Sequence, residues 1–313
     1  MRAVTFDSGR VLVADRPDPD PGTGEILVRV RAAGLNNADL MQALGFYPAP
    51  PGSPPDILGM ELAGEVVSCG PDAVRFSPGD RVMAVVGGGA QAELATFHER
   101  QAIPLPESVG WAEAGGFPEV FTTAHDALFT QGALCPGEHL LVHGAAGGVG
   151  TAALQIAVAA GAGVTASVRH PELRPAVAAM GATVIDPAGF EESGPYDVIL
   201  ELVGADNLMG NLRSLRVGGR ICVIGVGGTG PRGEIDLSLL MGKRARIHGS
   251  TLRARPLEGK AAAARLVESQ LVPLLADGRI SPPLAATFPL EAAADAYERF
   301  RAGAKLGKVV LVV

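Results

Sequence analysis

Long apolar runs, closely spaced cysteines and a strong excess of positive charge are all lacking from this sequence. No uninterrupted hydrophobic stretch approaches the roughly 20 residues of a membrane span, and the first twenty residues interrupt their apolar runs too often for a secretory signal. We therefore expect a cytoplasmic protein without a membrane partner. The net charge is −7 and the Lys and Arg residues are scattered, so no nucleic-acid partner is expected.

The cysteines and histidines also lack the spacing of a disulfide framework or a metal site. Cys69, Cys135 and Cys222 are isolated and odd in number, which favours reduced thiols. The six histidines form no H-E-x-x-H or H-x3-H group, so we interpret them as structural or surface residues.

The chain has 313 residues, which is enough for about two domains. Of these residues 47% are hydrophobic and 19% are charged. Short β segments such as Ile26–Gly34 and Glu61–Gly70 dominate residues 1–118, with Gly and Pro between them. The loop Gly45–Pro55 holds five prolines. This part is predicted to be an irregular, mostly β domain.

From residue 119 to residue 253 the pattern changes to apolar strands alternating with helix-length segments. That alternation is typical of an α/β domain with a parallel sheet. Residues 254–313 then contain an alanine-rich helix (Gly259–Ala276), a second helical pattern (Leu290–Gly303) and a closing strand (Lys308–Val313).

A glycine-rich turn, Ala145–Gly150, stands between the apolar run HLLVHG and an alanine-rich helix that stops at Gly161. Its spacing is that of the dinucleotide-binding fingerprint, with alanine in place of the first glycine. Gly147 would let the backbone approach a pyrophosphate, and Gly150 would let the helix pack closely on the strand. A tight structural turn is the alternative. The predicted cofactor-binding residues here are Gly147, Gly148, Val149 and Gly150.

The next strand indicates which dinucleotide is bound. An NAD site usually places Asp or Glu about 20 residues on, but no acidic residue occurs between Gly150 and Pro171. The strand ends at Ser167 and Arg169 instead, and a hydroxyl and a guanidinium suit a 2′-phosphate. We therefore predict NADPH, with Ser167 and Arg169 as its ligands; the alternative is that Arg169 is a solvated loop residue.

Six motifs, one of which contains the glycine turn, extend over nearly the whole chain: AAGLNNADLMQALGFYPAPPG, DILGMELAGEVVSCG, FSPGDRVMA, HGAAGGVGTAALQIA, GGRICVIG and PLEAAADAYERFRAGAKLGKVVLVV. Together they resemble the zinc-free quinone oxidoreductase (zeta-crystallin-like) branch of the medium-chain dehydrogenase/reductase superfamily. The resemblance implies a GroES-like mostly β catalytic domain built from residues 1–118 and 254–313. It also implies a Rossmann domain with a doubly wound parallel sheet (119–253), an active site in the cleft, and a homodimer joined through the Rossmann domains.

The resemblance also bears on zinc. Zinc-dependent relatives hold catalytic zinc through a Cys and a His where this chain has Asn36 and Met60, and an amide and a thioether cannot replace a thiolate and an imidazole. No metal is therefore expected. Without a Lewis acid, a quinone or conjugated enone is the expected acceptor, because it delocalises the charge that arrives with a hydride.

Three residues match the family's substrate side, and each has an alternative role. The phenol O–H of Tyr47 would donate a hydrogen bond to the acceptor oxygen, or the side chain would only cover a proline-rich loop. The amide N–H of Asn36 would donate a hydrogen bond to that oxygen or to the cofactor ribose, or Asn36 would only cap a helix or form a turn. Asp39 would orient these groups, or would cap the following helix.

Further matches concern the cofactor. Thr123 matches the family threonine near the nicotinamide, Gly225 and Val226 are expected to pass near the nicotinamide as backbone, and Lys308 matches a basic residue that can face the pyrophosphate. As a lone lysine, Lys308 could equally be a solvated strand end. Pro187 stands where many relatives place a tyrosine that helps hold the 2′-phosphate, so Arg169 or Arg174 must compensate, or NADPH selectivity is weaker than usual.

The function predicted from these residues is NADPH-dependent reduction of a quinone without zinc. Reduction of an enone or alkenal is the alternative within the enzymes, because both acceptors share a conjugated carbonyl. A non-catalytic, crystallin-like NADPH-binding protein is the alternative outside them.

Overall fold

The structure is a computed structural model that describes all 313 residues. None of its helices has the length and hydrophobicity that crossing a membrane requires. The strands are β1 Arg2–Asp7, β2 Arg10–Asp15, β3 Glu25–Gly34, β4 Glu61–Cys69, β5 Arg81–Val85, β6 Leu94–His98, β7 Ala102–Pro104, β8 His139–His143, β9 Gly163–Ser167, β10 Thr183–Ile185, β11 Tyr196–Glu201, β12 Leu215–Val223, β13 Arg246–Gly249, β14 Leu284–Pro289 and β15 Lys308–Val312. The α-helices are α1 Asn37–Ala43, α2 Trp111–Gly115, α3 Pro118–His125, α4 Gly148–Ala159, α5 Arg174–Ala178, α6 Leu208–Ser214, α7 Leu237–Lys243, α8 Leu257–Gln270, α9 Val272–Ala276 and α10 Ala293–Arg301.

The chain divides into two compact units. The first comprises residues 1–122, 252–303 and 308–313, and the second comprises residues 123–251 and 304–307. The second unit thus takes in a short segment near the C terminus that the sequence pattern did not assign to it.

The second unit is built on a six-stranded sheet in the order β10-β9-β8-β11-β12-β13, in which every neighbouring pair is parallel. The chain winds outward from β8 to β10, returns to the other side of β8, and winds outward again to β13. This is the doubly wound parallel sheet that the sequence predicted, and its strand order reverses between β8 and β11. Buried apolar side chains hold it together, among them Leu141, Tyr196, Ile199, Leu212 and Ile221.

The first unit has a seven-stranded sheet in the order β14-β15-β3-β4-β5-β7, with β6 also paired to β3. All its pairs are antiparallel except β14 with β15. Since β15 pairs with β3, strands from both chain ends share one sheet, and the GroES-like mostly β fold is confirmed. Ile26, Val28 and Val30 alternate along β3 into the core of this sheet.

One predicted helix is divided in the structure at a proline, and the helix-length segment after β9 forms only a short helix. The segment Gly259–Ala276 was predicted as one helix, but it divides into α8 and α9 because Pro273 cannot donate a backbone hydrogen bond. The segment after β9 forms only the five-residue α5, preceded by a 3-10 turn at Pro171–Leu173.

Candidate functional site

The glycine turn joins β8 to α4 in the second unit, where close packing leaves no room for a side chain at Gly150. A Cβ atom at Gly150 would lie 2.6 Å from the carbonyl oxygen of Gly144 and 2.7 Å from Cα of Ala145. A Cβ atom at Gly147 would meet only the Gly144 oxygen, at 3.4 Å. Gly150 therefore serves the packing of helix on strand, whereas Gly147 leaves open space in front of the turn.

The N terminus of α4 is open to an anion. Gly147 is the N-cap residue and no side chain caps the helix. The first turn carries no acidic residue, so the N–H groups of this 12-residue helix face no competing carboxylate. The backbone N–H of Gly307 donates to the carbonyl oxygen of Ala146 at 2.9 Å, which lays residues 304–307 beside the turn. This arrangement fits the pyrophosphate of a dinucleotide, because uncapped helix N–H groups attract phosphate.

The two arginines after β9 differ in what they contact. Arg174 donates to the carbonyl oxygen of Val168 at 3.1 Å and to the Asp186 carboxylate at 2.6 Å. Arg169 is exposed and contacts only the ring of His170, at 3.3 Å. Ser167 is buried at the end of β9, where its carbonyl oxygen accepts the N–H of Ala145. Of the two guanidinium groups, that of Arg169 is the one not already held by a carboxylate.

Three further predicted cofactor residues lie at separate places in the second unit. Thr123 is buried in α3. Gly225 follows β12 and packs so closely that a Cβ atom there would lie 2.7 Å from the carbonyl oxygen of Leu202. Val226 is 40% exposed and lines a cavity of about 210 Å³ that also touches Glu201. Their approach to a nicotinamide remains a prediction.

A buried polar cluster occupies the place where the strand order reverses. Glu201, at the end of β11, accepts the N–H groups of Val203 and Gly204 at 2.7 and 2.9 Å and the amide of Asn211 at 2.8 Å. His143, at the end of β8, lies 2.8 Å from the Asn211 Oδ1, and burial lowers the pKa of His143. The Glu201 carboxylate already accepts several hydrogen bonds from the protein. We therefore interpret the cluster as structural: it holds the loop that follows β11 in place.

In the first unit, Asn36 and Lys308 lie together in a buried group that also contains Glu61. Lys308 Nζ lies 2.6 Å from Glu61 Oε1 and donates to Asn36 Oδ1 at 2.8 Å and to the Leu35 carbonyl oxygen at 2.7 Å. Asn36 Nδ2 donates to the same Glu61 oxygen at 2.9 Å. Lys308 is only 2% exposed, so the expectation that it could be a solvated strand end is wrong.

Asp39 caps helix α1 from inside the protein. Its Oδ2 accepts the backbone N–H of Asn36 at 2.8 Å, which is the helix-capping role that the sequence left open. Its Oδ1 has no hydrogen-bond partner. Burial raises the pKa of Asp39 to about 7. Asp39 therefore positions Asn36 through the backbone, and a direct part in the reaction remains a prediction.

Tyr47 lies in the proline-rich loop, which a buried arginine fastens. Arg253 donates to the Tyr47 carbonyl oxygen at 3.1 Å and to the Gly87 carbonyl oxygen at 2.8 Å, and it also bonds the side chain of Gln42. Its guanidinium carbon lies 5.3 Å from the centre of the Tyr47 ring. Arg253 is 2% exposed.

Sequence reasoning missed Glu61 and Arg253. Glu61 directly follows Met60, but nothing in the spacing of that motif indicates that Lys308 pairs with it. Arg253 follows a strand with no distinguishing pattern, and its long-range contacts to Gln42 and Gly87 leave no signal in a single sequence.

Comparison with known proteins agrees with this architecture. Residues 22–130 match the alcohol dehydrogenase GroES-like domain family, and residues 182–311 match the zinc-binding dehydrogenase family. Mouse quinone oxidoreductase is 32% identical over 336 residues, which cover all of this chain and 97% of that protein. Acryloyl-coenzyme A reductase of Metallosphaera sedula is 31% identical over 329 residues, covering 96% of this chain and 95% of that one.

Among solved structures, Escherichia coli quinone oxidoreductase complexed with NADPH superposes with a TM-score of 0.88 at 26% identity, over all of both chains. Some relatives are much longer: the chain spans only 5% of the polyketide synthase GfsB of Streptomyces halstedii, at 33% identity. The near-complete match to quinone oxidoreductases confirms the predicted resemblance. The chain belongs to the quinone oxidoreductase branch of the medium-chain dehydrogenase/reductase superfamily.

Proposed function

We propose that the protein is an NADPH-dependent, zinc-independent quinone oxidoreductase, which passes reducing equivalents from NADPH to a quinone. Membership of the quinone oxidoreductase branch supports the reaction class. The observation in this chain that carries the proposal most directly is the uncapped, acid-free N terminus of α4 behind Gly147.

The residues that would hold NADPH lie in the second unit. The backbone N–H groups from Gly148 to Gly150 would bind the pyrophosphate. Arg169, exposed and without a carboxylate partner, would bind the 2′-phosphate, since a guanidinium matches phosphate geometry. Ser167 and Arg169 are the proposed reason for a preference for NADPH over NADH. When bound, the nicotinamide supplies the hydride.

The acceptor chemistry would fall to residues of the first unit. Asn36 keeps one N–H of its amide outside the protein's own hydrogen bonds, so that this N–H can donate to a quinone oxygen as negative charge develops there. Tyr47 would hold a proton on its phenol oxygen and release it to the reduced acceptor.

Zinc independence is supported by the chemistry of the side chains at the matching positions. The Asn36 amide oxygen is already bonded to the Lys308 ammonium at 2.8 Å, and a fixed cation there disfavours a divalent metal. Met60 offers a buried thioether, which is a poor zinc ligand. No group of three or more His, Cys, Asp or Glu side chains comes together to hold a metal ion. The residues therefore do not fit zinc, although one matching family is described as zinc-binding.

Reduction of a conjugated enone or alkenal is the second candidate, and the similarity to a protein named acryloyl-coenzyme A reductase favours it. Steady-state rates of NADPH oxidation with a simple quinone and with a linear enal separate the two. We expect the larger kcat/KM for the quinone. A large preference for the enal would reject the quinone assignment, and tight NADPH binding without turnover on any acceptor would favour a non-catalytic protein.

A homodimer through the second unit is also proposed. Strand β13 forms an edge of the parallel sheet, and exposed apolar side chains lie on its neighbouring elements. The most exposed of these are Met241 (75%), Leu237 (63%) and Val217 (59%). Light scattering should show a dimer that Met241→Asp weakens; a monomeric parent protein would reject the proposal.

A further inference from the structure

We propose that Lys308 is a positioning residue for Asn36: it fixes the orientation of the Asn36 amide, and it is not a ligand of the cofactor pyrophosphate. The inference deepens the proposed function and rests on it in one respect, namely that the Asn36 amide faces the acceptor. It replaces the pyrophosphate role that the sequence suggested for Lys308.

The hydrogen bonds of Lys308 use its whole donor capacity. An ammonium group has three N–H donors and no acceptor. Its three oxygen partners are the Leu35 carbonyl, the Asn36 amide and the Glu61 carboxylate, all within 2.8 Å of Nζ. With Lys308 only 2% exposed, no donor remains for a phosphate.

The same contacts determine which way the Asn36 amide points. Lys308 can only donate, so the atom of Asn36 that faces it must be the carbonyl oxygen. The Glu61 carboxylate oxygen accepts, so the atom of Asn36 that faces it must be the amide nitrogen. An asparagine between two neutral partners could flip, but between a lysine and a glutamate it cannot. The direction of the second N–H of the amide is thereby fixed as well.

Glu61 is held firmly enough to act as the anchor of this arrangement. It is fully buried, and its second oxygen accepts the backbone N–H of Glu119 at 2.9 Å. Three elements thus meet at one carboxylate: β15 brings Lys308, the N-cap of α1 brings Asn36, and β4 begins with Glu61. The burial of these groups keeps water from competing with the bonds.

The arrangement explains how the Asn36 amide can stabilise the acceptor during its reduction. An ammonium on the amide oxygen draws electron density from the amide, which strengthens its N–H as a donor. A donor of fixed direction stabilises an oxygen that gains negative charge during reduction. Lys308 therefore contributes to reduction of the acceptor through Asn36, without touching either substrate.

The test separates acceptor reduction from cofactor binding in the full-length protein. Lys308→Met should lower kcat with 1,4-benzoquinone by about tenfold or more. The NADPH Kd, followed by nucleotide fluorescence, should stay within about twofold of the parent value. A pyrophosphate ligand would behave in the opposite way: its loss would weaken the NADPH Kd by about tenfold and leave kcat at saturating NADPH nearly unchanged. That second result would overturn the proposal.

Three further variants keep the test decisive. Lys308→Arg retains the positive charge if Lys308→Met does not fold, and it should show the same split between kcat and Kd, because a planar fork cannot reproduce the three bonds. On an Asn36→Ala background, Lys308→Met should cause little further loss of kcat, whereas independent losses would overturn the proposal.

Arg301→Met, which removes a cation paired with Glu298 on an exposed face of α10, is the matched control and should match the parent in both measurements. If the parent protein reduces no quinone, the proposed function fails, but a weakened NADPH Kd in the lysine variants would still decide against the positioning role.

Discussion

Arg253 holds both the backbone and the ring of Tyr47: its Nη1 donates to the Tyr47 carbonyl oxygen at 3.1 Å, and its guanidinium carbon lies 5.3 Å from the ring centre. The same guanidinium bonds the Gly87 carbonyl oxygen at 2.8 Å. A single buried cation thus fastens the proline-rich loop that carries the proposed proton donor. Prolines stiffen such a loop, but they do not determine where it docks.

Replacing Arg253 should therefore impair Tyr47 without impairing cofactor binding. Arg253→Met should lower kcat/KM for a quinone by about tenfold and leave the NADPH Kd unchanged. It should also lower the melting temperature, because each buried acceptor left unpaired costs about 1–3 kcal/mol. The Arg253→Met and Tyr47→Phe losses should be less than additive. Arg16→Met, which breaks an exposed pair with Asp56, is the control. A lower melting temperature with unchanged kcat/KM would show that Arg253 only supports the fold.

The buried carboxyl of Asp39 should make stability depend on pH. Its pKa is about 7 in the folded protein, against an ordinary value of 3.8, and burial is the main cause. The folded state therefore binds this proton more tightly than the unfolded state. The stabilisation is complete below about pH 4 and is lost as the pH rises towards 7.

Asp39→Asn removes this titration while keeping the shape of the side chain. Above pH 8 the variant should be more stable than the parent by up to about 4 kcal/mol, and the difference should vanish near pH 4. Urea unfolding of both proteins between pH 4 and pH 8.5 measures it. A stability difference that does not change with pH would contradict the raised pKa.

Gly147 and Gly150 should respond differently to the same substitution. Gly150→Ala would place a Cβ atom 2.6 Å from the Gly144 oxygen, so we expect it to lower the melting temperature strongly. Gly147→Ala meets that oxygen only at 3.4 Å and should fold normally, yet its methyl group would stand where the pyrophosphate approaches. We expect the NADPH Kd of Gly147→Ala to weaken about tenfold or more. Normal NADPH binding by a folded Gly147→Ala protein would show that the glycine turn does not contact the cofactor.

Arg169 and Arg174 form a second matched pair. Arg169→Ala should reduce the ratio of kcat/KM for NADPH to that for NADH by about tenfold, because it removes a guanidinium with no carboxylate partner. Arg174→Ala should change that ratio little and affect stability instead, since this side chain is committed to Val168 and Asp186. If the ratio of kcat/KM for NADPH to that for NADH falls in Arg174→Ala but not in Arg169→Ala, Arg174 and not Arg169 binds the 2′-phosphate.

The fold was largely predictable because its signals are local. The alternation of apolar strands with helices and the glycine turn depend on short stretches. The pairing of the two chain ends in one sheet is long-range, and only the family resemblance implied it. Helix lengths were less predictable, since Pro273 and Pro175 act at single positions within apparently continuous patterns.

The candidate site was predictable only in part, because its chemistry depends on partners distant in sequence. Asn36 and Lys308 were each identified singly, but the carboxylate that joins them belongs to Glu61, and Lys308 lies 272 residues from Asn36. Arg253 lies 206 residues from Tyr47 and was not identified at all. Long-range pairing of this kind leaves no periodicity in one sequence, so neither the role of Lys308 nor the anchoring of Tyr47 could be derived without the structure.

The central claim is tested most directly by the oxidation of NADPH by the purified, chelator-treated protein with 1,4-benzoquinone as acceptor, after correction for the direct chemical reaction. The account predicts turnover that survives chelation and is faster with NADPH than with NADH. Absence of turnover despite measurable NADPH binding, or turnover that chelation abolishes and zinc restores, would contradict it.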